Sequence, residues 1–203
     1  MNALTRVVRS SSVVAILGLA AGLVACGSNQ TSSGGPTQIQ QQSLSADGSN
    51  SASAIQPLGD TNSTMKTQRA EAPAKLVPTA MRAGAHQNFD RVVIELAGEG
   101  TPGWHVDYTT TPQQQASGLD LKVSGDSFLN VNIDGTTYPF EVGIPDPELT
   151  PVKGEGPAVV EVVSGGTFEG RSQFVIGLKG DRRPYSVAFL EDPKRLVIDF
   201  EQS

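Results

Sequence analysis

Two histidines, His86 and His105, are the only imidazoles in the chain, and Asp90, Glu95 and Asp107 lie near them in sequence. Such a set could in principle hold a zinc ion or exchange protons near neutral pH. The spacing matches no metal motif: there is no His-Glu-x-x-His run, and the one cysteine, Cys26, lies far from both histidines. No metal and no cofactor is expected. Covalent catalysis has little to draw on either, since no Gly-x-Ser-x-Gly elbow is present. A pair of catalytic carboxylates could be assembled from the plentiful acidic residues, but such a pair is recognisable only by its separation in three dimensions.

Binding chemistry is better supplied. Arg91, Arg171 and Arg195 carry planar guanidinium groups suited to carboxylates or phosphates, and Asp90-Arg91 could meet Asp192-Pro193-Lys194-Arg195 if the first and last strands adjoin. Trp104, Tyr138 and Tyr185, with Tyr108, offer rings on which the C–H faces of sugars can pack. Trp104 and Tyr108 share a strand face with Val106, which points equally to a place in the core. The candidate ligand-binding set is therefore Arg91, Trp104, Tyr138, Arg171, Tyr185 and Arg195.

Leu23-Val24-Ala25-Cys26-Gly27 resembles a bacterial lipobox. Arg6 and Arg9 precede an apolar stretch from Val13 to Ala25, as in an export signal. Those thirteen positions fall short of the roughly 20 residues a helix needs to span a bilayer. The resemblance implies diacylglycerol on the Cys26 thiol, removal of residues 1–25, and a protein anchored by lipid on the outer face of the plasma membrane. The residues removed hold two basic and no acidic side chains, so the net charge moves from −6 to −8. Such acidity argues against nucleic acid as a partner and against polybasic attachment to lipid headgroups.

From 26 to 78 the chain is rich in Ser, Gln, Gly, Asn and Thr and is expected to be a disordered spacer, with an end-to-end distance of roughly 40 Å. Beyond it, in 79–203, apolar residues recur at every second position between Gly, Pro and Asp turns, which is strand periodicity. Runs at 91–96, 104–108, 119–123, 128–133, 136–142, 159–163, 174–178, 185–189 and 196–200 predict about nine short strands. Gly125-Asp126 and Asp134-Gly135 are read as hairpin turns. The expected fold is all-β, a single sandwich with one core, in a monomer. The proline-rich stretch 143–157 is too long for a simple hairpin, and long loops on rigid scaffolds often carry binding.

Five runs together carry a family resemblance: Arg82-x-Gly84-x-His86-x-x-Phe89-Asp90-Arg91-Val92-Val93, Pro102-Gly103-Trp104-x-Val106-x-Tyr108, Thr167-Phe168-Glu169-Gly170, Gly177-Leu178, and Asp192-Pro193-x-Arg195-Leu196-Val197-Ile198-Asp199. In this order they resemble the AMIN-like domain of actinobacterial lipoproteins, over most of 79–202. The resemblance implies a non-catalytic β-sandwich whose partners are a cell-wall polymer, such as peptidoglycan or an associated glycan, or an envelope protein. Two alternatives remain at this level: a small hydrolase of wall carbohydrate, marked by two facing carboxylates in a deep pocket, and a carrier of an apolar ligand, marked by a cavity between the sheets.

Overall fold

Alternating apolar residues become strands because each then buries one face. In the computed structural model, which describes residues 55–202, ten strands form: β1 (Lys66–Gln68), β2 (Glu71–Ala85), β3 (Phe89–Thr101), β4 (Gly103–Thr109), β5 (Ser127–Asp134), β6 (Val152–Lys153), β7 (Val159–Phe168), β8 (Arg171–Leu178), β9 (Tyr185–Leu190) and β10 (Arg195–Glu201). A single 3-10 turn spans Pro139–Glu141. The expected signal segment, Cys26 and the first part of the expected spacer lie outside the described residues.

Two antiparallel sheets result, one of six strands in the order β1-β4-β5-β8-β7-β6 and one of four in the order β2-β3-β10-β9. Val92, Ile94, Leu196, Ile198 and Phe200 of the four-stranded sheet face Val106, Leu129, Val131, Phe174 and Ile176 of the other, all fully buried. This is the all-β sandwich that the alternation predicts.

Polar side chains stitch the layers together. Asp90, 1 % exposed, accepts the backbone N–H groups of Ala158 and Val159 on Oδ2, both at 2.8 Å, and the Gln202 amide on Oδ1 at 2.8 Å, which ties β3 to the start of β7 across the sandwich. Arg91 grips the fully buried Asp199 with two parallel bonds of 2.7 and 2.8 Å on the outer side of the four-stranded sheet. The same carboxylate accepts the Leu58 N–H at 2.7 Å, while Thr61 bonds Glu201 and Asn62 pairs with Tyr185. The segment before β1 is thereby strapped to the edge of the domain.

Several expectations need correction. No strand forms at 119–123: β5 is flanked by β4 and β8, so no free edge remains for it. Those residues instead cross the outer side of the six-stranded sheet, where Ser124 N–H meets Glu161 at 2.7 Å and Leu119 is 68 % exposed. Nor does Asp134-Gly135 turn a hairpin into a strand at 136–142. Gly135 takes φ 81°, Thr136 makes a single parallel bridge to Leu76, and Pro139, which has no N–H for a ladder, opens the 3-10 turn.

Conversely, β1 and the start of β2 lie in the stretch expected to be spacer, so ordered structure reaches well before residue 79. Pro73 and Pro78 argue against a strand there in sequence. They fit because β2 is an edge strand with register shifts between Glu71 and Lys75 and between Pro78 and Ala80.

Candidate functional site

A tight turn begins the site. Glu169 and Gly170, with φ of 48° and 78°, close the β7–β8 hairpin, as two consecutive left-handed residues do in the tightest hairpin turns. The register then sets Thr167 opposite Ser172, and their hydroxyls meet at 2.7 Å. Gly170 C=O accepts from the N–H groups of Gly135 and Thr136, both at 3.0 Å, which clamps the end of β5 to this hairpin.

From that clamp the chain runs through Tyr138 into the 3-10 turn, and Ile144 N–H bonds Pro139 C=O at 3.1 Å as the proline-rich loop folds back. Tyr138 and Phe140 project outward as a near-parallel stacked pair, ring centres 5.6 Å apart and planes 8° apart. They are 39 % and 77 % exposed. Beside them a pocket of about 200 Å³ opens, with Val77, Pro139, Pro147 and Phe174 as apolar wall and Asp146 and Thr167 as polar wall.

The structure distributes the sequence candidates unevenly. Tyr138 lines the pocket. Tyr185 does not reach the surface: it is fully buried, edge-on to Tyr108 at 5.6 Å, and its hydroxyl lies 2.9 Å from the carbonyls of both Thr64 and Val106. Burial and the nearby Asp107 carboxylate push its phenol well above the ordinary value. Trp104 packs against the core from β4, as the shared face with Val106 suggested.

The arginines are engaged within the fold. Arg91 holds Asp199, Arg171 holds Asp134 at 2.6 Å, and Arg195 donates to Pro193 C=O at 2.6 Å. Asp90-Arg91 does not join Asp192–Arg195; the buried Asp199 takes the guanidinium instead because β3 and β10 pair with Arg91 opposite Asp199. His86 stacks on Phe89 at the β2–β3 turn, and His105 lies on β4 of the other sheet. Among the described residues no cluster of three or more His, Cys, Asp or Glu side chains could hold a metal ion.

Phe140, Asp146 and Ser172 escaped the sequence reading, and Thr167 entered it only as part of the family resemblance. Phe140 was hidden inside an expected strand, and the Thr167–Ser172 pair needed the hairpin register. The long proline-rich stretch pointed to the neighbourhood without naming a residue.

A family model for the AMIN-like domain matches residues 76–202. The chain belongs to the AMIN-like domain family. AMIN-like domains are extracytoplasmic, non-catalytic binding domains associated with peptidoglycan or other envelope material. No curated protein and no solved structure matches the chain. No helix among the described residues is long and apolar enough to cross a membrane. The signature residues of the family resemblance are largely architectural in this AMIN-like domain. Asp90 clamps the sheets, Arg91 and Asp199 pair with each other, and a Cβ on Gly103 would overlap backbone of the Gln68–Ala70 turn.

Proposed function

We propose that this protein is a lipoprotein of the actinobacterial type, tethered through Cys26, whose AMIN-like sandwich binds a glycan of the cell wall through the Tyr138 face. The observation that carries the reading is the exposed stack of Tyr138 on Phe140 beside a pocket with both apolar and hydroxyl-bearing walls. A surface aromatic pair is costly to leave in water, and sugar rings present matching C–H faces with hydroxyls at the rim. The Leu58 strap joins the spacer to the opposite, four-stranded sheet, while the aromatic pair follows β5 of the six-stranded sheet.

The arginine route to a wall polymer is less favoured, because Arg91 and Arg171 already spend their charge on Asp199 and Asp134. An apolar carrier is disfavoured by the aromatic and branched side chains that fill the space between the sheets. The test is co-sedimentation of the full chain, in detergent, with purified peptidoglycan sacculi, against a heat-denatured control. Native protein should pellet, and Tyr138→Ala with Phe140→Ala should abolish most of it. Equal pelleting of the double variant, or none by the native chain, overturns the reading.

A further inference from the structure

The pocket under Tyr138 says more about its ligand than that it is a glycan, because the hydroxyl protons around it can be counted. Ser172, 1 % exposed, donates its one proton to Thr136 Oγ1 at 3.0 Å, and Thr136, 4 % exposed, points to Ile133 C=O at 3.5 Å. A hydroxyl has a single proton to give. The 2.7 Å contact between Thr167 and Ser172 admits a donor at either end, and with the Ser172 proton turned to Thr136 the donor is Thr167. In that order all three protons run inward along the chain Thr167, Ser172, Thr136, Ile133. Thr167 Oγ1 is left at the pocket with its lone pairs outward, and donation inward strengthens it as an acceptor.

Charge points the same way. No Lys, Arg or His lines this pocket, and its one ionisable carboxyl group, Asp146, takes no hydrogen bond from the protein among the described residues. A ligand that enters must bring N–H or O–H donors to Thr167 and Asp146 and apolar surface to Pro147, Phe174 and Val77. An anionic ligand would meet Asp146 with no cation to offset it. The volume, about 200 Å³, lies below the roughly 300–1,000 Å³ of ordinary small-molecule sites. It has room for about one sugar ring beside Tyr138.

Resting on the glycan-binding reading above, we infer that this pocket takes a neutral sugar residue bearing hydroxyl or acetamido donors, and that Asp146 and Thr167 select it against anionic wall polymers. The site thus discriminates by acceptors, the reverse of a guanidinium site for phosphate or carboxylate. Ser164, whose Oγ accepts the Gly166 N–H at 3.2 Å, keeps its own proton for a sugar oxygen.

The experiment titrates the full chain in detergent, by calorimetry, with two tetrasaccharides: chitotetraose, which is neutral, and a hyaluronan tetrasaccharide, which carries carboxylates. Chitotetraose should bind at least about tenfold more tightly. Thr167→Val, which keeps shape and removes the acceptor, should weaken it by roughly three- to tenfold, the worth of one neutral hydrogen bond. Thr167→Ser should restore it. Asp146→Asn should narrow the gap between the two sugars. Equal affinity for both sugars, or a Thr167→Val variant that binds as the native chain does, overturns the inference. If neither sugar binds while sacculi still pellet the protein, the inference fails and the wall-binding reading stands. If chitotetraose binds as described and sacculi do not, the reverse holds.

Discussion

Replacement of Asp90 by alanine should cost the domain about 3 kcal/mol, and a second substitution at Gly156 tests why. The carboxylate accepts two backbone N–H groups at 2.8 Å, from Ala158 and Val159, which are 0 % and 3 % exposed. Loss of the carboxylate strands both donors away from water. A buried unsatisfied donor costs about 1–3 kcal/mol, so the pair costs roughly 2–6 before relaxation or an entering water recovers part of it. Gln202 is half-buried and can turn to solvent, so its bond adds little. About 3 kcal/mol is a large share of the roughly 5–15 that hold a domain folded. Asp90→Asn should cost less, about 1–2 kcal/mol, because the amide oxygen can still face both N–H groups while its NH₂ confronts Gln202, which can flip.

Gly156 supplies the internal control. A Cβ there would overlap the Asp90 carboxylate itself, and the Gly156 backbone is not left-handed, so any cost of Gly156→Ala arises from that collision. Overpacking of this kind costs about 1–3 kcal/mol. In the Asp90→Ala background the colliding atoms are gone, and the alanine should be nearly free. Urea denaturation of the four proteins, followed by far-ultraviolet circular dichroism, gives the cycle. Additive losses, or an Asp90→Ala loss under about 1 kcal/mol, would refute the clamp.

Asp199→Ala should destabilise by about 3–5 kcal/mol, since it strands a guanidinium that is 19 % exposed and frees the Leu58 strap. The folded fraction should still pellet with sacculi as native protein does; a loss of binding at unchanged stability would return Arg91 to the ligand site. Tyr108 and Tyr185 have phenols raised chiefly by burial, so folding favours their protonated forms. That stability is complete below the unfolded value near pH 10 and is lost as pH rises through the folded values, so phenolate absorbance from these two should appear at higher pH in the folded domain than in the urea-unfolded chain. At Glu161 burial pushes the carboxyl up, but the hydrogen bonds from Lys153 and Ser124 outweigh it and hold it below its ordinary value. Its contribution is present above the unfolded value of 4.5 and fades as pH falls through the lower folded one. Glu161→Gln should therefore lower the melting temperature at about pH 7 more than at about pH 3; an equal loss at both would sink the assignment.

Much of the fold was legible because burial on one side imposes a period of two. The runs at Arg91–Leu96, Val159–Val163, Phe174–Leu178 and Leu196–Phe200 all became strands, since each alternates and each finds a partner on both sides or at an edge. The 119–123 run alternates equally well and is not a strand. Period two states which face a strand would bury and says nothing about whether an edge is left to receive it. β2 shows the converse, for its prolines weaken the local signal while an edge position and two bulges accommodate them.

What the sequence determined by itself was the class: alternating apolar runs without an amphipathic helix in 79–203, a lone cysteine in a lipobox-like run, acidity, and the ordered signature of an AMIN-like domain. Only the tertiary structure decided which of those residues face a ligand. Tyr185 and Tyr138 are the same side chain in a string of letters, yet one fills the core and the other stands 39 % exposed over a pocket. Arg91 and Asp199, 108 positions apart, cancel each other's charge because β3 and β10 set them opposite. The Thr167 hydroxyl meets Ser172 on β8, which in turn meets Thr136 beyond the end of β5, so its place in that hydroxyl chain is set by the hairpin register and by a residue 31 positions away. Exposure, pairing and proton order are properties of neighbours in space, and neighbours distant along the chain are supplied by the fold.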